Sequence, residues 1–155
     1  MSRLRPHAEW MNLAIAVAIE AGEAGEVPVG AAVVNERDEL LALTANRRER
    51  DCDPTAHAEI LALRQAGRAL KDWKLERCRL YVTLEPCPMC AGAIAQSRLQ
   101  QVIYGADDPK AGALRSVLNV PSSAASFHRP EVLGGVCEPT CRHLLQTWFA
   151  RMREA

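Results

Sequence analysis

LYVTLEPCPMCAGAIAQSRLQQVIYG, residues 80–105, decides the architecture of this chain. Leu80 to Leu84 is a short apolar run with β-branched and aromatic side chains and reads as a strand. Pro88 suits the first position of a helix, where its missing N–H is no loss, so a helix is predicted over Pro88 to Gln96. Val102 to Gly105 reads as the next strand. A strand, a helix and a strand in such close succession form a βαβ crossover, which favours parallel strands joined with right-handed topology. Helices then cover both faces of the sheet.

On the N-terminal side, His7 to Ala21 has Trp10, Leu13, Ala14, Val17 and Ala18 at helical spacing, with Gly22 and Gly25 ending the helix. Val27 to Val34 and Leu40 to Ala45 are β-branched and apolar runs joined by Asn35-Glu36-Arg37-Asp38, and read as a β-hairpin. A loop from Asn46 to Asp53 follows. Asp53 is placed to cap a helix beginning with Pro54, which continues through Ile60, Leu61 and Leu63 to about Ala66, before Gly67. On the C-terminal side, Asp107 to Pro130 is rich in turn residues. Val132 to Val136 reads as a fifth strand and Pro139 to Met152 as a terminal amphipathic helix. Internal repeats, low-complexity tracts and linkers are lacking, so residues 1–155 are expected to form a single domain.

The composition, 48% hydrophobic and 25% charged, is that of a globular chain, and no apolar run approaches a membrane span. Met1-Ser2-Arg3-Leu4-Arg5-Pro6-His7 has no apolar signal core, which makes the cytoplasm the expected compartment. Six cysteines in that compartment point to metal binding or burial rather than disulfides. The 19 basic and 19 acidic side chains cancel, so any nucleic-acid partner has to be held by local clusters. Arg47, Arg48 and Arg50 form one candidate, and Arg142, Arg151 and Arg153 another. Beside the second, Trp148 and Phe149 could stack a base or pack the last helix onto the core.

The chemistry is concentrated in His57-Ala58-Glu59 and Pro86-Cys87-Pro88-Met89-Cys90. Zinc accepts neutral imidazole nitrogen and thiolate sulfur, and a catalytic zinc keeps one of its four tetrahedral positions for water. His57, Cys87 and Cys90 supply three positions, and Glu59 is a carboxylate close enough to act at the fourth. Cys87 and Cys90, three apart at a helix start, place both sulfurs where backbone N–H groups favour thiolate. Two helix N-termini are therefore expected to point at one metal. The competing readings are a closed structural zinc with Cys52 or Cys78 as fourth ligand, and a chain without zinc in which the thiols are simply buried.

The paired H-x-E and P-C-x-x-C pattern is the signature of zinc nucleobase deaminases. Further segments resemble the TadA family of bacterial tRNA adenosine deaminases, within the cytidine deaminase-like superfamily. They are Val27-Pro28-Val29-Gly30-Ala31, Asp53 to Ile60, Thr83 to Ala93, Tyr104 to Ala113, and the Phe149-Ala150-Arg151-Met152-Arg153 end. The resemblance implies a three-layer α/β/α fold around a mixed five-stranded sheet, one zinc per subunit, and a homodimer whose partner helps complete each RNA site. It implies as substrate the wobble adenosine in the anticodon loop of an arginine tRNA, converted to inosine. Carried over by position, Asn46 would hydrogen-bond the flipped base, Val29 and Ile60 would line its pocket, Asp108 would sit near the ribose or backbone, and Phe149 and Arg153 would contact the anticodon loop. Cys52 stands where a His is common in the family, and Cys137 with Cys141 and His143 raises the question of a second metal site.

The mechanism expected from these residues has zinc activate the attacking water while Glu59 carries a proton from it to N1 of adenine and then to the leaving amine. The backbone N–H groups around Ala58 and Glu85 are candidates to fix the base edge. Alternatives are a zinc deaminase acting on free guanine or cytosine, and a catalytically silent zinc-stabilised RNA-binding or dimerisation module.

Overall fold

The computed structural model describes residues 4–155, so Met1, Ser2 and Arg3 of the N-terminal reading lie outside the described residues. The segment read first folds as expected. Strand β3 spans Arg79–Leu84 and β4 spans Gln101–Ala106; the two pair in parallel across the helix α4, Pro88–Gln96. Strands β1, Gly30–Val34, and β2, Leu40–Ala45, form the antiparallel hairpin, and β1 also pairs antiparallel with β3. A short β5, Glu131–Leu133, adds parallel to β4. The mixed five-stranded sheet has the order β2-β1-β3-β4-β5.

Period-two alternation along the central strands divides the core. Ala31, Val33, Leu80, Val82, Val102 and Tyr104 face one side, where they pack with Ala58 and Ala62 of α3, Ala58–Leu70, and with Ala91 and Ile94 of α4. Their neighbours Ala32, Val34, Tyr81 and Ile103 face the other, against Trp10, Met11, Ala14 and Ile15 of α1, His7–Glu23, and Cys141 of α5, Glu138–Glu154. These are the three layers of the α/β/α reading. Gly30 makes the α1 contact possible, since a Cβ there would run into the carbonyl of Ala14. Among the described residues, no helix is long and apolar enough to cross a membrane.

Several boundaries differ from the sequence reading. The first helix runs through Gly22 to Glu23, and it is Gly25, at φ +94°, that supplies the left-handed turn after it. The third helix passes through Gly67 to Leu70, because the left-handed residue that ends it is Lys71. Part of the loop after Asn46 is a helical turn, α2, Arg48–Asp51. The largest difference is at Asp53 and Pro54, which do not start a helix. The Asp53 carboxylate accepts both the N–H and the hydroxyl of Thr55 at 2.8 Å, closing a local turn. The helix begins only at Ala58, with His57 as its N-cap. The fifth strand is shorter than read: its regular pairing ends at Leu133 and Gly135, at φ +88°, breaks the extended run, while Gly135 and Val136 still donate to the carbonyls of Gly105 and Tyr104.

Candidate active site

Helices α3 and α4 start side by side, and their first residues carry the metal-type donors. His57 is the N-cap of α3; Cys87 is the N-cap of α4 and Cys90 lies in its first turn. The Sγ atoms of Cys87 and Cys90 stand 3.6 Å and 3.5 Å from His57 Nδ1. Ligands about 2.3 Å (sulfur) and about 2.0 Å (nitrogen) from one tetrahedral zinc would be separated by about 3.5 Å. The observed spacing therefore fits a single metal ion among three side chains. Among the described residues this is the one group of His, Cys, Asp and Glu donors close enough to share an ion. Neither Cys52, which is exposed, nor Cys78, whose thiol burial pushes up to about 11, joins it as a fourth ligand. Cys137, Cys141 and His143 do not form a second such group.

The electrostatics of the cluster are those of a site arranged for thiolate. The neighbouring Cys90 thiol, outweighing burial, holds Cys87 down at about 4, with His57 adding to the effect. Cys90 is pushed well above the ordinary thiol range by the adjacent Cys87 and by burial. The hydrogen bond to Cys87 raises His57. Glu59, two residues after His57, is only 4% exposed, and burial raises its carboxyl above the usual range. It is not among the shared-ion donors, but it lies close enough to feel Cys87, Cys90 and His57.

Asn46 lies at the end of β2 and holds the start of α3 from outside. Its Oδ1 accepts the N–H of Ala58 at 2.9 Å and its Nδ2 donates to Val27 O at 3.0 Å. The Ala58 N–H is therefore engaged inside the protein, as is that of Glu85, which donates to Ala106 O at 2.9 Å. Of the N–H groups around these positions expected to fix a base edge, these two are already paired within the protein. Val29 is buried, and its carbonyl accepts the N–H of Asn46. Ile60 lines a groove of 720 Å³ between α3 and α4.

Asp108 lies in the loop after β4, where its Oδ1 accepts the N–H groups of Lys110 and Ala111. That loop is anchored to the metal-type cluster by a residue the sequence reading missed as a functional side chain. Glu85, buried two residues before Cys87, accepts the N–H groups of Asp108, Leu114, Arg115 and Ser116 and the Ser116 hydroxyl. The available signal was an acid between an apolar strand and a Pro-Cys step. Phe149 and Arg153 stay apart from this group, on the last turns of α5. Trp148 packs inward and donates from Nε1 to Gly22 O at 3.1 Å, while Phe149 stands edge-on to it and half exposed.

Comparison with known proteins agrees with this geometry. The MafB19-like deaminase family matches residues 5–142. A tRNA-specific adenosine deaminase of Bacillus subtilis is 43% identical over 145 residues, covering 94% of this chain and 89% of the relative. The chain belongs to the tRNA-specific adenosine deaminase family. A structure from studies of A-to-I editing by tRNA:A34 deaminases at the wobble position of transfer RNA superposes with a TM-score of 0.86 at 42% identity, covering 88% of this chain and 99% of that one. A guanine deaminase of Nitrosomonas europaea is more distant, with a TM-score of 0.78 at 26% identity over 97% of this chain and 87% of that one. The fold is thus shared with deaminases of different substrates, and the greater sequence similarity lies with the tRNA enzymes.

Proposed function

We propose that this chain is a single zinc-dependent deaminase domain that hydrolyses adenosine to inosine at the wobble position of a tRNA anticodon loop, with an arginine tRNA as substrate, in the cytoplasm. The observation that carries the reading is the placement of one imidazole and two thiols at the spacing of a tetrahedral ion, with a buried carboxyl beside them. A zinc ion bound there would lower the pKa of water toward ~7.

His57, Cys87 and Cys90 hold the ion, and their helix starts fix the donor geometry. Glu59 takes a proton from water and delivers it to N1 of adenine as the oxygen bonds to C6. It then moves the second proton to the exocyclic nitrogen. The C6–N bond breaks, ammonia leaves, and inosine remains. Burial supports this role, since it brings a carboxyl toward the pH at which it can both accept and release a proton.

Asn46 uses one of its two amide hydrogens on Val27, and the other is free for the flipped base. Val29 and Ile60 are proposed to line the base pocket, Asp108 to lie near the ribose, and Phe149 and Arg153 to meet the loop. An unpaired loop base is cheap to extrude, which suits chemistry at a base atom that a duplex would hide. The α3–α4 face, with its 720 Å³ groove and the exposed Trp73, supports a homodimer.

The test is a zinc-quantified preparation offered a synthetic arginine tRNA anticodon stem-loop with a wobble adenosine, with free guanine and cytosine in parallel. Inosine at that position is expected from nucleoside mass spectrometry. Turnover of a free base with no inosine would move the function to a small-molecule deaminase. Binding of the RNA without turnover of any substrate would make it a binding module.

A further inference from the structure

Next to the candidate site a groove of 910 Å³ opens between α1, β2, α2 and α3, and its walls carry Arg47, Arg50, Arg64 and Arg68. Asn46 also lines it, so the groove begins where the start of α3 is held and leads away from the metal-type donors. Arg47 is paired with Asp51 at 3.1 Å. Among the described residues, Arg50, Arg64 and Arg68 make no ion pair within 4 Å. The carboxylates facing the groove are Glu20, Glu26 and Asp51. Asp51 is occupied by Arg47, and Glu26, which is buried, accepts the N–H groups of Glu49 and Arg50. Asp53, outside the groove lining, feels the charge of Arg64. With Arg47 and Asp51 cancelling, three guanidinium groups outnumber the two remaining groove carboxylates, Glu20 and Glu26.

The groove is also built to hold its shape. Glu26 fixes the α2 turn through two backbone bonds of 3.0 Å and 2.8 Å, which sets where Arg50 departs from the chain. Arg64 and Arg68 are one helical turn apart on α3, on the same side. Several planar guanidinium groups around one groove match the spaced oxygens of a phosphate backbone better than a single anion.

We propose that this groove is a second RNA-binding surface, in which Arg50, Arg64 and Arg68 hold the sugar-phosphate backbone of the stem next to the loop whose base enters the site. The proposal rests on the tRNA reading above and extends it from the flipped base to the stem. Phosphate contacts set register without reading sequence. They also explain how a chain with no net charge holds a polyanion.

The test compares wild type with Arg50→Gln alone and with Arg50→Gln/Arg64→Gln/Arg68→Gln, all zinc-quantified, on the stem-loop and on the same loop sequence without a stem. Both inosine formation and filter binding are measured across a salt series. The triple variant should raise KM for the stem-loop about tenfold, leave kcat within about twofold, and reduce the salt slope of log KM by about 2, since each lost phosphate contact removes somewhat less than one unit. The stemless RNA should respond little. Arg64 and Arg68 also line the α3–α4 groove, whereas Arg50 does not, so Arg50→Gln alone should give part of the same effect with no change of oligomeric mass. Unchanged KM and salt slope would overturn the proposal, as would a KM increase accompanied by a change of oligomeric mass in sedimentation. If wild type makes no inosine, the deamination reading fails, and equal filter binding of the stem-loop by wild type and triple variant would overturn the groove as well.

Discussion

The Glu85 carboxylate accepts both the N–H of Ser116, at 2.9 Å, and the hydroxyl of the same residue, tying the strand that leads into Cys87 to the loop that carries Asp108. Gly112 lies against the same carboxylate, at a position where a Cβ would collide with it. Burial raises the Glu85 carboxyl, but the hydrogen bonds from Ser116, Arg115 and Asp108 outweigh it and hold the group below its ordinary value.

Glu85→Ala should therefore leave several buried N–H groups without an acceptor and cost about 3 kcal/mol or more in chemical denaturation. The sign of the pH dependence follows from the depressed value. The stabilisation is fully present above the unfolded-state pKa of ~4.3 and is lost as pH falls through the lower folded value. The stability gap between wild type and Glu85→Gln should narrow as pH falls from 6 toward 3. A constant gap would exclude Glu85 as an ionised anchor of this loop.

Glu59 and the three donors next to it should separate cleanly on substitution. Glu59→Gln is expected to keep about one zinc per chain by elemental analysis and to lose ~10²–10⁴-fold in turnover. His57→Ala and Cys90→Ser should lose both metal and activity, with lower thermal stability than the zinc-loaded chain. X-ray absorption of the zinc-loaded protein should show two sulfur neighbours near ~2.3 Å together with lighter N/O donors near ~2.0 Å. A sulfur count of three or four would instead mean a closed structural site.

How much of this was legible in the sequence depends on how local each signal was. Pro88 and the Cys87/Cys90 spacing lie within one helix turn, and the α4 boundaries read from them agree with the structure. Asp53-Pro54 carries the same kind of local signal, yet the Asp53 side chain is spent on Thr55, and the start of α3 is instead held by Asn46, 12 residues before Ala58. Glu85 meets its partners across 23 to 31 residues, and Glu26 reaches Glu49 and Arg50 across 23 and 24. No periodicity or turn motif encodes such pairings. They arise only once the sheet brings the strand ends together.

Asp108 tests whether a turn residue also serves the substrate. Asn retains the Oδ1 that accepts the Lys110 and Ala111 N–H groups, so Asp108→Asn should change stability by less than about 0.5 kcal/mol. If the carboxylate also reads the ribose, the variant's preference for the RNA stem-loop over its deoxy counterpart should shrink. Unchanged preference would confine Asp108 to the turn.

Asn46 poses the same question at the other side of the site, and here two effects have to be told apart. Removing its amide in Asn46→Ala takes the acceptor from Ala58 N–H and the donor from Val27 O, a loss comparable to that of a helix cap, about 1–2 kcal/mol. A chain that remains folded at the assay temperature would show little change in activity if that were all Asn46 does. A residue that also spends its second amide hydrogen on the flipped base should lose tenfold or more in kcat/KM on the stem-loop while zinc content stays at wild-type level. The comparison is made well below the variant's melting temperature, and activity that falls only in proportion to the folded fraction would limit Asn46 to holding the first turn of α3.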